Sequence, residues 1–357
     1  MDKSKLVNSY FEAFRAKDME SLKLILGPGF GVRTFLGSLV FSFEAVGLLF
    51  EKYNLIDTNI INFDELNDIV YINAIVEYSI DSKVNSECII VKFVFKDNLI
   101  IRAYETIKKV RHTRIKCNVT YDGSTFSGFQ RQPDLMTVQG EIEKGLWHLT
   151  KEEITIHSSG RTDKGVHAIN QVFHFDTVSK IKPIDFARVL RSYLPDSIYL
   201  ISSEEVHPTF HSRYDAYSKE YVYKINIGEY DPIRRNYEWN VSGLDLGVLK
   251  KEVLSIIGTH NFTSFTKTKE DKIMIRTIFD VKVKEKGSHI YISIIGSGFL
   301  RYMVRYIVGT AVEIAKGEVN DSLLNFISYK NSSEVKWKAP SSGLYLKEVK
   351  YYEWDRI

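Results

Sequence analysis

The stretch Gly160-Arg161-Thr162-Asp163-Lys164-Gly165-Val166-His167-Ala168 sets one carboxylate among cationic neighbours and between glycines. The run Ile154-Thr155-Ile156-His157 before it reads as a strand, and so does Gln171-Val172-Phe173-His174-Phe175 after it. Asp163 therefore falls on a tight loop between two strands, a place where rigid elements present a reactive side chain. Glycines let such a loop take positive φ and let a ligand come close. A turn aspartate that only hydrogen-bonds its own backbone has the same local signature, so the rest of the chain must decide between the two.

Downstream, Pro183 opens a helix through Ala187, Leu190 and Leu194 that Pro195 stops. A strand at Ile198–Ile201 follows, and then a strand in which Tyr221, Tyr223 and Ile225 share one face. Asp245 precedes a helix bearing Leu249, Val253 and Ile256. Strands at 277–284 and 289–295 lead to a helix with Leu300, Val304, Ile307, Val308, Ala311 and Ile314. Upstream, Ile115, Cys117, Val119 and Tyr121 alternate as one strand face. A polar loop with embedded aromatics, Tyr121–Gln132, separates that strand from a helix that Thr137 caps. Helices and mostly antiparallel strands in this order describe an α+β chain, not the strand–helix alternation of a parallel fold.

The first 110 residues differ in character. Val7, Tyr10, Phe11 and Phe14 sit at helical spacing, and Phe43, Val46, Phe50 and Tyr53 suggest a second helix. Strand-like runs follow near 55–63, 68–80, 87–97 and 99–107. Residues 1–109 carry 13 Lys/Arg against 15 Asp/Glu, whereas the remainder carries 35 against 30, and all nine histidines lie at or after His112. Basic excess in the larger part suits an RNA partner. The basic junction Lys108–Arg114 is too short for a floppy linker and offers charge to phosphates. Cys88 and Cys117 provide neither a disulfide framework nor zinc spacing, and a reducing cytoplasm is the simplest compartment. No apolar run reaches membrane-spanning length.

Four strings resemble, in order, the tRNA pseudouridine synthase A (TruA) family: the Tyr121–Gln132 loop, the Asp163 loop, the Tyr221 strand and the Arg305 helix. A fifth, Ala339–Leu346, is similar to that family's C-terminal Gly-Leu-Tyr segment, so the likeness spans about residues 112–357. It implies a pseudouridine synthase fold of two α/β halves with antiparallel sheets, placed here at 111–217 and 218–357. Residues 1–110 weakly resemble an NTF2-like (SnoaL-like) α+β cone and are expected to be an accessory domain. The implied reaction is isomerisation of uridine to pseudouridine at positions 38–40 of the tRNA anticodon stem-loop, without cofactor or metal, by a homodimer acting on tRNA.

By the resemblance, Asp163 is the catalytic carboxylate, Arg305 its basic partner, and Tyr221 the aromatic that stacks on the extruded uracil. Arg161 would help to flip the target and fill its place in the stack. Phe129, Gln130, Arg131, Lys164, Arg301 and Leu344 are the further substrate-binding candidates. The family typically has Trp where Phe129 stands and often His near Arg301. A carboxylate doing this work must be ionised, and a cation a few ångströms away favours that form. Two other readings compete: a catalytically silent tRNA-binding or chaperone-like protein on this scaffold, and a small-molecule NTF2-like protein with an RNA-binding tail. The first requires loss of Asp163, Tyr221 or Arg305, all of which are present; the second requires a shielded carboxylate pair, which the sequence does not show.

Overall fold

The computed structural model describes residues 2–36, 38–40, 42–108, 112–267 and 274–351. The chain divides into two compact units, Met1–His112 with His207–Phe210, and Thr113–Val206 with His211–Ile357. The expected boundary at 110/111 and the basic side chains Lys109 and Arg111 lie outside the described residues. Among the described residues no helix is long and apolar enough to cross a membrane.

In the first unit, α1 (Lys3–Ala16) begins where the Asp2 carboxylate accepts a hydrogen bond from the Ser4 amide. Its buried face is Leu6, Val7, Tyr10, Phe11 and Phe14, the helical spacing read from sequence. After α2 (Met19–Ile25), β1 (Leu26–Arg33) and β2 (Leu39–Val40), the single helix expected near 43–53 is two short turns, α3 (Phe43–Val46) and α4 (Leu49–Lys52), interrupted at Gly47. Four long strands follow: β3 (Asn54–Leu66), β4 (Ile69–Ile80), β5 (Lys83–Lys96) and β6 (Leu99–Ile107). They form a six-stranded sheet in the order β2-β1-β6-β5-β4-β3, antiparallel except where β1 meets β6. Helices packed on one face of such a sheet are the expected α+β arrangement, and Tyr10 seats against Phe93 at 5.2 Å between ring centroids.

The second unit has its own core and one larger sheet. In chain order it comprises β7 (Thr113–Tyr121), α5 (Val138–Thr150), β8 (His157–Ser158), β9 (His167–Thr177), α6 (Phe186–Leu190), β10 (Ile198–Val206), β11 (Ala216–Asn226) and β12 (Trp239–Asn240). Then come α7 (Leu246–Ser255), β13 (Gly258–Asn261), β14 (Ile275–Lys286), β15 (His289–Gly296), α8 (Met303–Ala315), α9 (Leu323–Tyr329) and β16 (Leu344–Tyr351). The strand order is β10-β7-β9-β16-β11-β15-β14-β13, with β8 on β9 and β12 on β11. The two halves meet in the parallel pair β9–β16, with Tyr345 opposite His167 and Leu346 opposite Ala168. Parallel strands start at the same end, so the loop entering β9 and the loop entering β16 lie side by side. The strand expected at Ile154–His157 shrinks to His157–Ser158 because the Glu143 carboxylate, not a neighbouring strand, accepts the Ile156 amide at 3.1 Å.

Among the buried polar groups of the first unit, which include Arg33 and Lys92, Glu105 is a carboxylate. Glu105 on β6 is 5% exposed, and burial pushes its carboxyl up to about 7 while a hydrogen bond from the Phe35 amide opposes the rise. The folded state therefore holds a proton that the unfolded chain has lost, and stability falls as pH rises from the ordinary carboxylate value toward about 7. Glu105→Gln should stabilise this unit above pH 7 by on the order of 3 kcal/mol at most. The gain should vanish near pH 4. Calorimetry of the full chain across that range checks both; a variant that melts lower at pH 8 would contradict the assignment.

Candidate active site

The Asp163 loop is pinned from both sides before any charged group is considered. The Phe129 amide donates to the Thr162 carbonyl at 3.1 Å, and Thr162 Oγ1 lies 2.8 Å from the Tyr121 hydroxyl. Gly128 makes the first of these contacts possible. Its φ is +102°, and a Cβ there would stand 3.0 Å from the Thr162 carbonyl oxygen and 3.3 Å from the Lys164 nitrogen. The loop closes on itself through the Val166 amide, which donates to the Asp163 carbonyl at 3.1 Å. His167 anchors its exit: Nδ1 accepts from the Gly123 amide at 3.1 Å and Nε2 meets the Asn236 carbonyl at 2.8 Å. Asp122 lies 3.2 Å from the same Nδ1 and favours the cation, but burial dominates and lowers the His167 pKa, so the ring is neutral and structural.

Arg305 approaches from α8, a helix buried from Met303 through Val312. Its Nε donates to the Ala339 carbonyl at 2.8 Å, and the Ala339 amide returns a bond to the Arg305 carbonyl at 3.0 Å. One turn on, Gly309 lets the helix backbone touch the same segment, since a Cβ there would stand 2.5 Å from the Trp337 carbonyl oxygen. Held this way, the guanidinium places Nη1 3.7 Å from Asp163 Oδ2, with side-chain exposures of 11% and 24%. That is an ion pair longer than a hydrogen bond.

Around the pair is a cleft of about 430 Å³ lined by Ser124, Tyr302, Lys338, Ser341 and Ser342 among others. Tyr302 takes a left-handed backbone, φ 66°, at the start of α8, an unusual conformation for a bulky residue. Its ring carries the Lys338 ammonium at 4.6 Å, the Arg301 guanidinium at 4.7 Å and that of Arg305 at 5.7 Å, and its hydroxyl accepts from Arg301 at 2.7 Å. Burial is the strongest influence on Asp163 and raises its pKa; Arg305, Arg301 and Lys338 lower it without cancelling the effect. The cation-dominated carboxylate anticipated from sequence is thus corrected: desolvation wins.

Tyr221 lies on β11 opposite Ile294 of β15 and Leu346 of β16, buried, with its ring edge-on to Phe299 at 5.0 Å. Burial pushes its phenol up, with the charges of Tyr121 and Asp163 adding to the rise, so it stays protonated. Tyr223 is a strut, donating its hydroxyl proton to the Pro340 carbonyl at 2.7 Å. Arg161, Lys164, Arg301 and Gln130 are exposed. Arg131 is exposed too and pairs with Glu143 at 3.1 Å. Two candidates are elsewhere than expected. Phe129 is 1% exposed, and its ring packs in the core near Tyr121 instead of offering a surface. Leu344 is also buried, opposite Tyr223 in the sheet. Sequence reading missed Tyr302, Lys338, Ser124, Ser341 and Ser342, which only the fold assembles. Lys338, one residue before Ala339 in the C-terminal string, was the available signal. Among the described residues no group of three His, Cys, Asp or Glu side chains is placed to hold a metal ion.

A family model described as tRNA pseudouridine synthase matches residues 118–215 and 253–352. A protein from Brevibacillus brevis named tRNA pseudouridine synthase A is 44% identical over 244 residues, covering 67% of this chain and 99% of its own. One of the same name from an Exiguobacterium strain is 41% identical over 245 residues, covering 68% and 99%. Among solved structures, an NTF2-like protein of unknown function from Burkholderia pseudomallei is similar over 30% of this chain and 92% of its own, at 11% identity and a TM-score of 0.27.

Because burial raises the Asp163 pKa, ionising it opposes folding, and stability falls as pH climbs from the ordinary carboxylate value through the raised one. Asp163→Asn should therefore melt at a higher temperature than the parent at pH 7, and the difference should shrink on acidification. A lower melting temperature at pH 7 would contradict the desolvated carboxylate.

Proposed function

Since the chain belongs to the tRNA pseudouridine synthase family, we propose that it isomerises uridine to pseudouridine in the anticodon stem-loop of tRNA, at positions 38–40, with Asp163 as the catalytic carboxylate. The reaction breaks N1–C1′, turns the uracil and joins C5 to C1′; the C5 hydrogen leaves and N1 gains one, so no redox partner is needed. The observation that carries the assignment is the Asp163–Arg305 pair in a cleft beside the Ser341–Gly343 turn.

Asp163 acts as nucleophile or as a base assisting glycosidic cleavage, and either role requires its ionised form. Arg305 keeps that form accessible against the burial that disfavours it. Tyr221 holds the uracil by stacking, which is worth roughly 1–3 kcal/mol and is indifferent to base identity. Selection of uracil therefore falls to hydrogen-bonding groups in the cleft, for which Ser124, Ser341 and Ser342 are available. A base inside a stem must leave the stack before Asp163 reaches it, and exposed Arg161 is the side chain assigned to fill its place. Lys164, Gln130, Arg131 and Arg301 serve as outer RNA contacts, whereas Phe129 and Leu344 act through packing. We assign residues 1–110 an accessory, non-catalytic part, and infer a cytoplasmic homodimer with tRNA lying across both subunits.

Mapping pseudouridine in tRNA from cells with and without this protein tests the reaction; unchanged maps would overturn it. The ion pair has its own test. Arg305→Met removes the largest influence opposing burial, so the Asp163 pKa should rise further and the acidic limb of the pH–rate profile should move to higher pH. An unmoved limb in a folded, active variant would rule out the role given to Arg305.

A further inference from the structure

Lys338 lines the cleft together with Asp163, Lys164 and Arg305. Its backbone neighbours Trp337 and Ala339 pack on α8, so a fixed segment carries a side chain that is itself exposed. The ammonium stands 4.6 Å from the centroid of the Tyr302 ring. Among the described residues no carboxylate pairs with it and no group accepts a hydrogen bond from it, so its three donors are available.

Tyr302 aims that ammonium. From its left-handed backbone the ring gathers Lys338, Arg301 at 4.7 Å and Arg305 at 5.7 Å, and its hydroxyl accepts from Arg301. Three like charges about one ring repel one another, and the ring offsets only part of that cost. Lys164 adds a cation from the Asp163 loop, which closes on the Ser341 turn at Gly165: its φ is +77°, and a Cβ there would stand 2.7 Å from Ser341 Oγ. The lining of this cleft of about 430 Å³ thus carries three cations, Lys164, Arg305 and Lys338, against the one carboxylate of Asp163. Such a balance draws an anionic ligand. A uridine whose ribose or base meets Asp163 brings a phosphodiester on each side of that ribose.

We propose that Lys338, held on the Tyr302 ring, binds a phosphodiester flanking the target uridine and so keeps the extruded nucleotide in front of Asp163. The inference rests on the reading of the chain as a tRNA uridine isomerase. Extrusion turns the backbone of the target nucleotide out of its helical course. A charge-assisted bond to the turned phosphate favours the extruded state over the stacked one. Lys338 touches the substrate, whereas Tyr302 acts through Lys338 as a positioning residue. The ammonium reads backbone only, which leaves the choice of base to the serine hydroxyls.

The test uses the full-length protein and tRNA assembled by ligation, with one uridine among positions 38–40. Each phosphodiester flanking that uridine is replaced, in separate molecules, by a neutral methylphosphonate. Each control keeps the phosphodiester and the same 2′-O-methyl sugar at that linkage. In the parent, one of the two replacements should cost about tenfold in affinity and in kcat/KM. In Lys338→Met the same replacement should cost no more than about twofold, and Lys338→Arg should restore most of the penalty. Tyr302→Phe, which keeps the ring, should retain the penalty, and Tyr302→Leu should lose most of it. A full penalty in Lys338→Met, or none at either linkage in the parent, would overturn the proposal; a full penalty in Tyr302→Leu would overturn the aiming role. If Lys338 served only to support the Asp163 anion, Lys338→Met would move the acidic limb of the pH–rate profile and leave the penalty intact, which also overturns it. A parent that isomerises both tRNAs equally well refutes the phosphate contact alone. A parent that shows the affinity penalty yet forms no pseudouridine upholds the contact and refutes the enzymatic reading.

Discussion

The parallel pairing of β9 with β16 is the constraint on which the candidate active site depends. It joins strands more than 160 residues apart in sequence, through His167 opposite Tyr345 and Ala168 opposite Leu346. Because both strands begin at the same edge, the Asp163 loop that enters β9 must lie against the Ser341–Gly343 turn that enters β16. The segment before that turn is gripped by α8 through the paired Arg305–Ala339 hydrogen bonds. Tyr223 ties Pro340 down from the sheet. Loop, helix and sheet thereby converge on one carboxylate without a flexible intermediary, and preorganisation of that kind is what positions reacting groups.

Around that carboxylate two electrostatic effects oppose each other. Burial disfavours the Asp163 anion, and three cations arranged about the Tyr302 ring partly restore it. The result is an acid whose ionisation is incompletely supported by its surroundings. A group held this way is reactive at the expense of fold stability, a common trade at functional sites.

Much of this was legible in the chain. Strand alternation at Ile115–Tyr121 and helical spacing at Val7–Phe14 reflect local burial, and local burial is what periodicity encodes. The Asp163 loop and Arg305 were legible through the resemblance of their strings to the tRNA pseudouridine synthase A family; their local spacing alone is shared by a turn aspartate and a surface helix arginine. What stayed hidden depends on contacts between distant segments. Phe129 sits in a polar loop and reads as a surface aromatic, yet its amide bonds the Thr162 carbonyl and its ring enters the core. Lys338 and Tyr302 join the site only because α8 packs on the 337–339 backbone and Tyr302 adopts positive φ. The strand expected before the loop is mostly absent because a side chain, Glu143, replaces its partner. No one-dimensional pattern reports that substitution.

The central claim is that a single carboxylate, Asp163, performs the bond exchange. Forming pseudouridine joins C5 to C1′ and expels the hydrogen from C5, so tRNA labelled with tritium at uridine C5 releases label in step with product. Release should be stoichiometric with modified sites for the parent and at background for Asp163→Asn, whose tRNA affinity should stay within a few-fold because many phosphate contacts carry binding. Appreciable tritium release by a folded Asp163→Asn protein would contradict the account.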